Sequence, residues 1–82
     1  MFHVYILRGN SGRHYIGQTN DLAARMTQHR NGQTHTTKRL GDQLELLASR
    51  GYATRAEALA VERRLKAWGK PALAIEFLRQ SD

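Results

Sequence analysis

The sequence predicts an α/β (α+β) sandwich, in which one β-sheet carries helices packed against it. Short segments rich in β-branched and aromatic residues alternate with segments that have helix caps and helical spacing of apolar residues. The resulting order is β-β-α-β-α-α, which favours a single sheet covered by helices. The 82 residues contain no repeat, linker or low-complexity segment, so one domain over residues 1–82 is expected.

The chain is expected to open with a β-hairpin. Residues 2–8 and residues 14–17 have the composition of strands, and a turn-forming segment at 9–12 separates them. The loop is compatible with two pairings, so the sequence leaves the hairpin register open.

A helix is expected after the hairpin, over about residues 21–30. Asn20 is its predicted N-cap, and Asp21 would lie favourably at the positive end of the helix. The Asn-Gly pair at 31–32 is a typical stop signal. Residues 33–42 are polar and basic, and we expect this loop to be mobile when free and to become ordered on substrate.

The second half predicts one strand and two helices. Residues 43–52 carry leucines in a strand-like segment, although a helical turn fits them as well. Thr54 and Glu57 form a capping box, so a helix should follow to about Ala67. The proline that comes next suits the first turn of a last helix over 71–79.

Charge and composition favour nucleic acid as the partner. The chain has 13 Lys and Arg against 7 Asp and Glu, a net charge of +6, and arginine suits phosphate recognition. Cysteine is absent, which excludes disulfides and thiolate metal sites and favours a reducing cytoplasm. No apolar run reaches the roughly 18 residues of a membrane span, and no signal peptide is evident, so no membrane partner is expected.

Two polar residues of the first helix lie on its apolar side. Arg25 and His29 are one turn apart and share the side of Leu22 and Met26. A charged group there needs a partner, which makes both residues candidates for a site in a cleft. The structural alternative is an arginine reaching solvent from the rim and a histidine satisfied within the core.

Glu62 is similarly placed on the following helix, between Ala58 and Leu59. A carboxylate flanked by apolar residues needs a cation, which could be an arginine, Lys66 at i+4, or a metal ion. The structural alternative is an i,i+4 ion pair with Lys66 and no further role.

Two tyrosines complete the set of candidates. Tyr5 alternates away from Val4 and Ile6, so its ring should point to the other face of the sheet. Tyr15 lies near Gly17, and a strand glycine often marks a close approach by a backbone or a ligand. Packing within the sheet is the alternative for each tyrosine alone. Together with an arginine, a histidine and a glutamate, they supply a general base, an anion binder and a metal ligand, as phosphodiester hydrolysis requires.

These motifs resemble the GIY-YIG nuclease domain over nearly the whole chain. In order they are His3-Val4-Tyr5, Tyr15-Ile16-Gly17, Thr19, Arg25 with His29, Asn31-Gly32, and Glu62 within residues 57–62. One departure is His3, where the family name has glycine. Small stand-alone bacterial members are the most similar relatives by this resemblance.

The resemblance implies a three-stranded antiparallel sheet flanked by helices, together with a set of catalytic roles. Tyr5 and Tyr15 would line the active site, and one of them would help to deprotonate the attacking water. Arg25 would bind the scissile phosphate, and His29 would take part in proton transfer. Glu62 would hold a single divalent metal, Mg²⁺ or Mn²⁺.

The expected function is therefore that of a metal-dependent endonuclease acting on DNA, with a link to DNA repair among its relatives. Because the chain carries no separate recognition domain, we expect it to be structure-selective or directed by a partner protein. Basic side chains outside the catalytic set are expected to contact nucleic acid: Arg13, Arg30, Lys38, Arg39, Lys66 and Lys70. The alternatives are a catalytically weak or inactive nucleic-acid-binding module and a small basic interaction protein.

Overall fold

A computed structural model describes residues 1–31 and 43–80 of the chain. The elements follow the predicted order: β1 Phe2–Gly9, β2 His14–Thr19, α1 Leu22–Arg30, β3 Leu44–Tyr52, α2 Arg55–Trp68 and α3 Pro71–Arg79. The α+β class and the element order are confirmed. The expected mobile loop, with Lys38 and Arg39, lies outside the described residues.

The three strands form one antiparallel sheet in the order β2-β1-β3. The hairpin takes the register that sets Tyr5 opposite Gly17, and on the other side Tyr5 lies opposite Ser49. β1 is the central strand and each face of the sheet carries its own core cluster, so Val4, Tyr5 and Ile6 are all buried.

A β-bulge interrupts the pairing of β1 with β3. The register shifts between Ile6 and Leu7, so that Leu47 is the extra residue of β3. The guanidinium of Arg79 donates twice to the Leu47 carbonyl, from Nε at 3.2 Å and from Nη2 at 2.9 Å. The end of α3 is thereby fixed to the bulge.

The two faces of the sheet have different cores. The side covered by α2 and α3, called here the apolar face, buries only hydrophobic side chains: Val4, Ile6, Ala48, Ala58, Leu65, Ala74 and Leu78. The side covered by α1, called here the ring face, buries Tyr5, Leu7 and Met26, with Tyr15, Leu22 and Leu44 packed against them. His29 of α1 is also buried.

The helix caps correct one prediction and confirm another. The N-cap of α1 is Asp21, not Asn20, and its carboxylate accepts from the Ala24 N–H at 3.0 Å. β2 continues to Thr19, two residues beyond the predicted end of the strand, and the Thr19 hydroxyl accepts from the Asp21 N–H at 3.1 Å. The N-cap is therefore one residue later than predicted. The capping box of α2 is present, with Thr54 Oγ1 accepting from the backbone N–H three residues on.

None of the helices within the described ranges could cross a bilayer, because each is too short or too polar.

Candidate active site

Three aromatic rings from three different elements meet on the ring face. The ring of Tyr5 comes from β1, that of Tyr15 from β2 and that of His29 from α1. Their centroids are 6.1 Å apart for the two tyrosines, 5.9 Å for Tyr5 and His29, and 5.5 Å for Tyr15 and His29. The hairpin register and the helical position of His29 together produce this cluster.

Gly17 makes the space that the tyrosines occupy. A Cβ at this position would lie 2.7 Å from Tyr5 Oη and 2.9 Å from Tyr15 Cε2. Both distances are shorter than van der Waals contact, so any side chain would displace both rings. The predicted close approach at this strand glycine is therefore made by the two phenols.

Tyr5 and His29 form a hydrogen-bonded pair inside the protein. Tyr5 Oη lies 3.1 Å from His29 Nε2, and each residue is 1% exposed. Burial raises the pKa of Tyr5 well above its usual range, and the neighbouring Tyr15 raises it further. Burial, followed by the nearby charge of Arg25, lowers the pKa of His29. At neutral pH both groups are therefore uncharged, and a neutral imidazole can accept a phenol proton.

Tyr15 is the more accessible tyrosine of the cluster. It is partly exposed, whereas Tyr5 is buried. The ammonium of Lys66 lies 6.0 Å from the Tyr15 ring centroid, at the outer limit of a cation–π contact. Solvent therefore reaches Tyr15, whereas the Tyr5–His29 pair is closed off from it.

Arg25 carries a positive charge to the edge of this cluster. It is half-buried on α1, and its charge opposes the rise in the pKa of Tyr5 while lowering that of His29. Within residues 1–31 and 43–80, no carboxylate pairs with it. An unpaired, half-buried guanidinium beside neutral phenols is suited to binding an anion.

Glu62 approaches the tyrosines from α2. Its carboxylate accepts from Lys66 Nζ at 3.2 Å, and its side chain is 15% exposed. Its charge contributes to the raised pKa of Tyr5, which places the carboxylate within electrostatic range of the ring cluster. The ion pair named as the structural alternative is thus present. Such i,i+4 pairs contribute only about 0.3–0.5 kcal/mol, so the pair does not prevent Glu62 from binding another cation.

The donor set around Glu62 fits a magnesium-type ion held mainly by water and substrate. No group of three potential metal-binding side chains occurs in the described part of the chain, so a cage of protein ligands is not formed there. Mg²⁺ commonly uses one or two carboxylates and completes its shell with water and phosphate oxygens. The single carboxylate of Glu62, whose side chain is 15% exposed, is compatible with that arrangement.

The residues expected to contact nucleic acid are dispersed. Lys66 lies beside Glu62 and Tyr15 of the candidate site. Arg13 is exposed just before β2, and Arg30 is exposed at the end of α1. Lys70 lines a groove with Trp68, Leu73 and Phe77 that includes none of the candidate catalytic side chains.

Sequence reasoning did not select Arg55, which the fold brings close to the candidate site. Arg55 and Arg25 line one polar cleft together with Asn20 and Gln18. One signal in the sequence points to this residue. Arg55 directly follows the N-cap Thr54, and a cation at the first helical position is unfavourable next to the helix dipole.

A protein-family model and several bacterial relatives match this chain. The family model described as the GIY-YIG catalytic domain matches residues 1–74. A UPF0213 protein of Yersinia enterocolitica is 37% identical over 70 residues, covering 85% of this chain and 72% of the relative. A UPF0213 protein of Bacillus pumilus is 36% identical over 77 residues, covering 92% of this chain and 79% of the relative.

A UPF0213 protein of Streptococcus pneumoniae is similar over a longer stretch, with 30% identity over 79 residues, 96% of this chain and 79% of the relative. No solved structure matches the chain significantly. The family match indicates a nuclease-type catalytic domain, and the relatives are small proteins of comparable length.

Proposed function

Because this chain belongs to the GIY-YIG family, we propose that it is an endonuclease that hydrolyses phosphodiester bonds in DNA with the help of Mg²⁺ or Mn²⁺. One observation carries the proposal. Tyr5, Tyr15 and His29 form a single ring cluster, with Arg25 and Glu62 close enough to influence its titration. These residues supply a proton acceptor, an anion site and a carboxylate, which together suffice for attack of water on a phosphodiester.

In this proposal the attacking water loses its proton to the tyrosine pair. Tyr5 is not ionised beforehand, because burial and Tyr15 raise its pKa. It can accept a proton only while it passes its own proton on, and His29 Nε2 lies 3.1 Å from its hydroxyl. The lowered pKa of His29 leaves the imidazole neutral and able to receive that proton. Tyr15, which is partly exposed, orients the water at the mouth of this path.

Arg25 and Glu62 act on the phosphate in the same proposal. Arg25 binds the scissile phosphate and stabilises the charge that develops in the transition state, an effect typically worth about 2–4 kcal/mol for one donor. Glu62 would hold the divalent metal, which when bound supplies Lewis-acid stabilisation. The basic surface holds the DNA, and either a branched structure or a partner protein supplies selectivity. A role in DNA repair and a cytoplasmic location remain part of this proposal.

The test compares Glu62→Gln with Lys66→Ala. Purified proteins are assayed on linear, nicked, flapped and branched DNA with Mg²⁺, Mn²⁺ or a chelator, and DNA binding is measured by fluorescence anisotropy. Glu62→Gln keeps the shape of the side chain but removes its charge, so we expect cleavage to fall about 10²-fold or more while DNA binding is retained. Lys66→Ala removes the ion pair and a cation beside Tyr15 that is expected to contact nucleic acid, so DNA binding should weaken, whereas cleavage at saturating DNA should stay within a few-fold of the wild type.

Equal cleavage by Glu62→Gln and the wild type would refute the role of this carboxylate. Binding of the whole panel without cleavage of any member would replace the nuclease with a nucleic-acid-binding module. Binding itself should weaken steeply with salt, with a slope of about −0.9 for each duplex phosphate neutralised.

A further inference from the structure

A small polar cleft adjoins the ring cluster through Arg25. It has a volume of about 220 Å³ and is lined by Phe2, Gln18, Thr19, Asn20, Arg25 and Arg55. The tyrosines, His29 and Glu62 are not part of its lining. Arg25 is therefore shared by the cleft and the ring cluster, and the cleft is a separate space next to the position proposed for the scissile phosphate.

The described residues that line this cleft include two arginines and no acidic side chain. The ion pairs formed within residues 1–31 and 43–80 involve neither Arg25 nor Arg55, so two guanidinium groups line the space without a carboxylate. The Oε1 atom of Gln18, which also lines the cleft, is buried and has no hydrogen-bond partner in that part of the chain. Two unneutralised cations in one small cleft repel each other, and an anion between them would remove that cost.

Helix capping does not explain why Arg25 and Arg55 line this cleft. The N-terminus of α1 is capped by Asp21, and that of α2 is capped by Thr54. Arg55 therefore adds its charge to a helix end that is already satisfied and already positive. A position that is unfavourable for the helix is consistent with a function for the side chain itself.

We propose that this cleft binds the phosphate adjacent to the scissile phosphate of a nucleic-acid strand. Arg55 is its principal ligand, Asn20 and Gln18 line the space with side-chain amides that carry N–H donors, and Arg25 lies between the two phosphates. Arg55 is thus a positioning residue, which fixes the register of the strand over the ring cluster. The proposal rests on the nuclease function proposed above.

The test uses thymidine 3′,5′-bisphosphate, which carries two phosphates one nucleoside apart, and thymidine 5′-monophosphate as the single-phosphate probe. Binding is followed by NMR amide shifts in the wild type, in Arg55→Gln and in Arg64→Gln. Arg64 is exposed on the opposite side of α2, so it is the matched control. We expect the wild type to bind the bisphosphate about tenfold more tightly than the monophosphate, as one charge-assisted contact allows.

Arg55→Gln should bring the bisphosphate down to the affinity of the monophosphate and leave the monophosphate unchanged, and Arg64→Gln should change neither. On DNA, Arg55→Gln should flatten the salt slope by about 0.9, the value of one phosphate contact, and raise KM with little change in kcat. Equal bisphosphate affinity in Arg55→Gln and the wild type would overturn the proposal, as would equal affinity of the wild type for both probes.

The measurement of bisphosphate binding does not require DNA cleavage, so the phosphate-cleft proposal and the nuclease proposal can be refuted separately. A loss of bisphosphate affinity in Arg55→Gln, with no cleavage of any DNA by the wild type, supports the phosphate cleft and refutes the nuclease. Cleavage by the wild type without an effect of Arg55→Gln on bisphosphate binding refutes the cleft alone.

Discussion

The two faces of the sheet use the same central strand for different purposes. On the apolar face, Val4 and Ile6 are in contact with aliphatic side chains from two helices. On the ring face, Tyr5 packs beneath a single nine-residue helix, and one of the groups buried by that helix is the imidazole of His29. Burial of hydrocarbon contributes about 25 cal/mol per Å² with no directional requirement, whereas a buried phenol and a buried imidazole each need a hydrogen-bond partner, and here they bond to each other.

This difference explains how an 82-residue chain can hold polar groups in its interior. A small domain has little stability to spare, so the apolar face must supply most of it. The ring face can then maintain an arrangement in which Tyr5 and His29 are held neutral. The comparison assigns the stability of the fold to residues of the apolar face and the geometry of the candidate site to residues of the ring face. Substitutions on either face test this assignment.

The largest effect is expected from Leu65→Ala, on the apolar face. Leu65 is 1% exposed, and its removal leaves a cavity between α2 and the sheet. We expect a loss of about 2–5 kcal/mol in the free energy of unfolding, measured by denaturant titration. The counterpart on the ring face is Met26→Ala, which should cost less because Met26 is 8% exposed and flexible. A larger cost for Met26→Ala would reverse the assignment of the stabilising face.

An intermediate effect is expected from Gly17→Ala, which acts on the ring face alone. The new methyl group would collide with Tyr5 and Tyr15, and the Tyr5 ring is held in place by His29. Overpacking of this kind costs about 1–3 kcal/mol, and we expect the DNA cleavage rate to fall with it.

Gly51→Ala is the matched control on β3, since the methyl group there meets the side chain of Met1, which is 75% exposed and free to move. Similar losses of stability and cleavage in the two alanine variants would show that the ring cluster tolerates displacement and that its geometry does not determine the cleavage rate.

The smallest effect is a dependence of stability on pH that originates in His29. Its pKa is lowered in the folded protein by burial and then by Arg25, so below pH about 6.5 the unfolded chain binds the proton more readily than the folded one. The free energy of unfolding should therefore fall as the pH decreases from about 6.5, with no contribution from this residue above pH about 7.5.

The slope of the free energy of unfolding against pH, measured between pH 5 and pH 7.5, separates the titration of His29 from the loss of its hydrogen bond. His29→Gln should have a shallower slope than the wild type, because the residue whose pKa is lowered by burial is removed. An unchanged slope in His29→Gln would mean that the imidazole can be protonated in the folded state at little cost.

Local patterns in the sequence are sufficient for the element order, and they also select three side chains that the fold brings together, those of Tyr5, Tyr15 and His29. The capping box at Thr54 and the alternation that sends Tyr5 away from Val4 require only neighbouring residues. The N-cap of α1 was predicted one residue too early because the choice of Asp21 depends on a hydroxyl of the preceding strand. The cleft at Arg55 could not be predicted, since it forms only when β1, β2 and the starts of two helices come together.

The bulge in β3 also affects how the molecule meets its neighbours. With β1 on one side, β3 leaves its other edge without a strand in the described part of the sheet, and a nine-residue edge is long enough to recruit a strand from another copy. The extra residue at Leu47 makes that edge irregular, and Arg79 takes up its carbonyl. The exposed charged pair of Arg8 and Glu45 lies farther along the same two strands. A single inserted residue thus opposes edge-to-edge aggregation, and the C-terminal helix holds it in place.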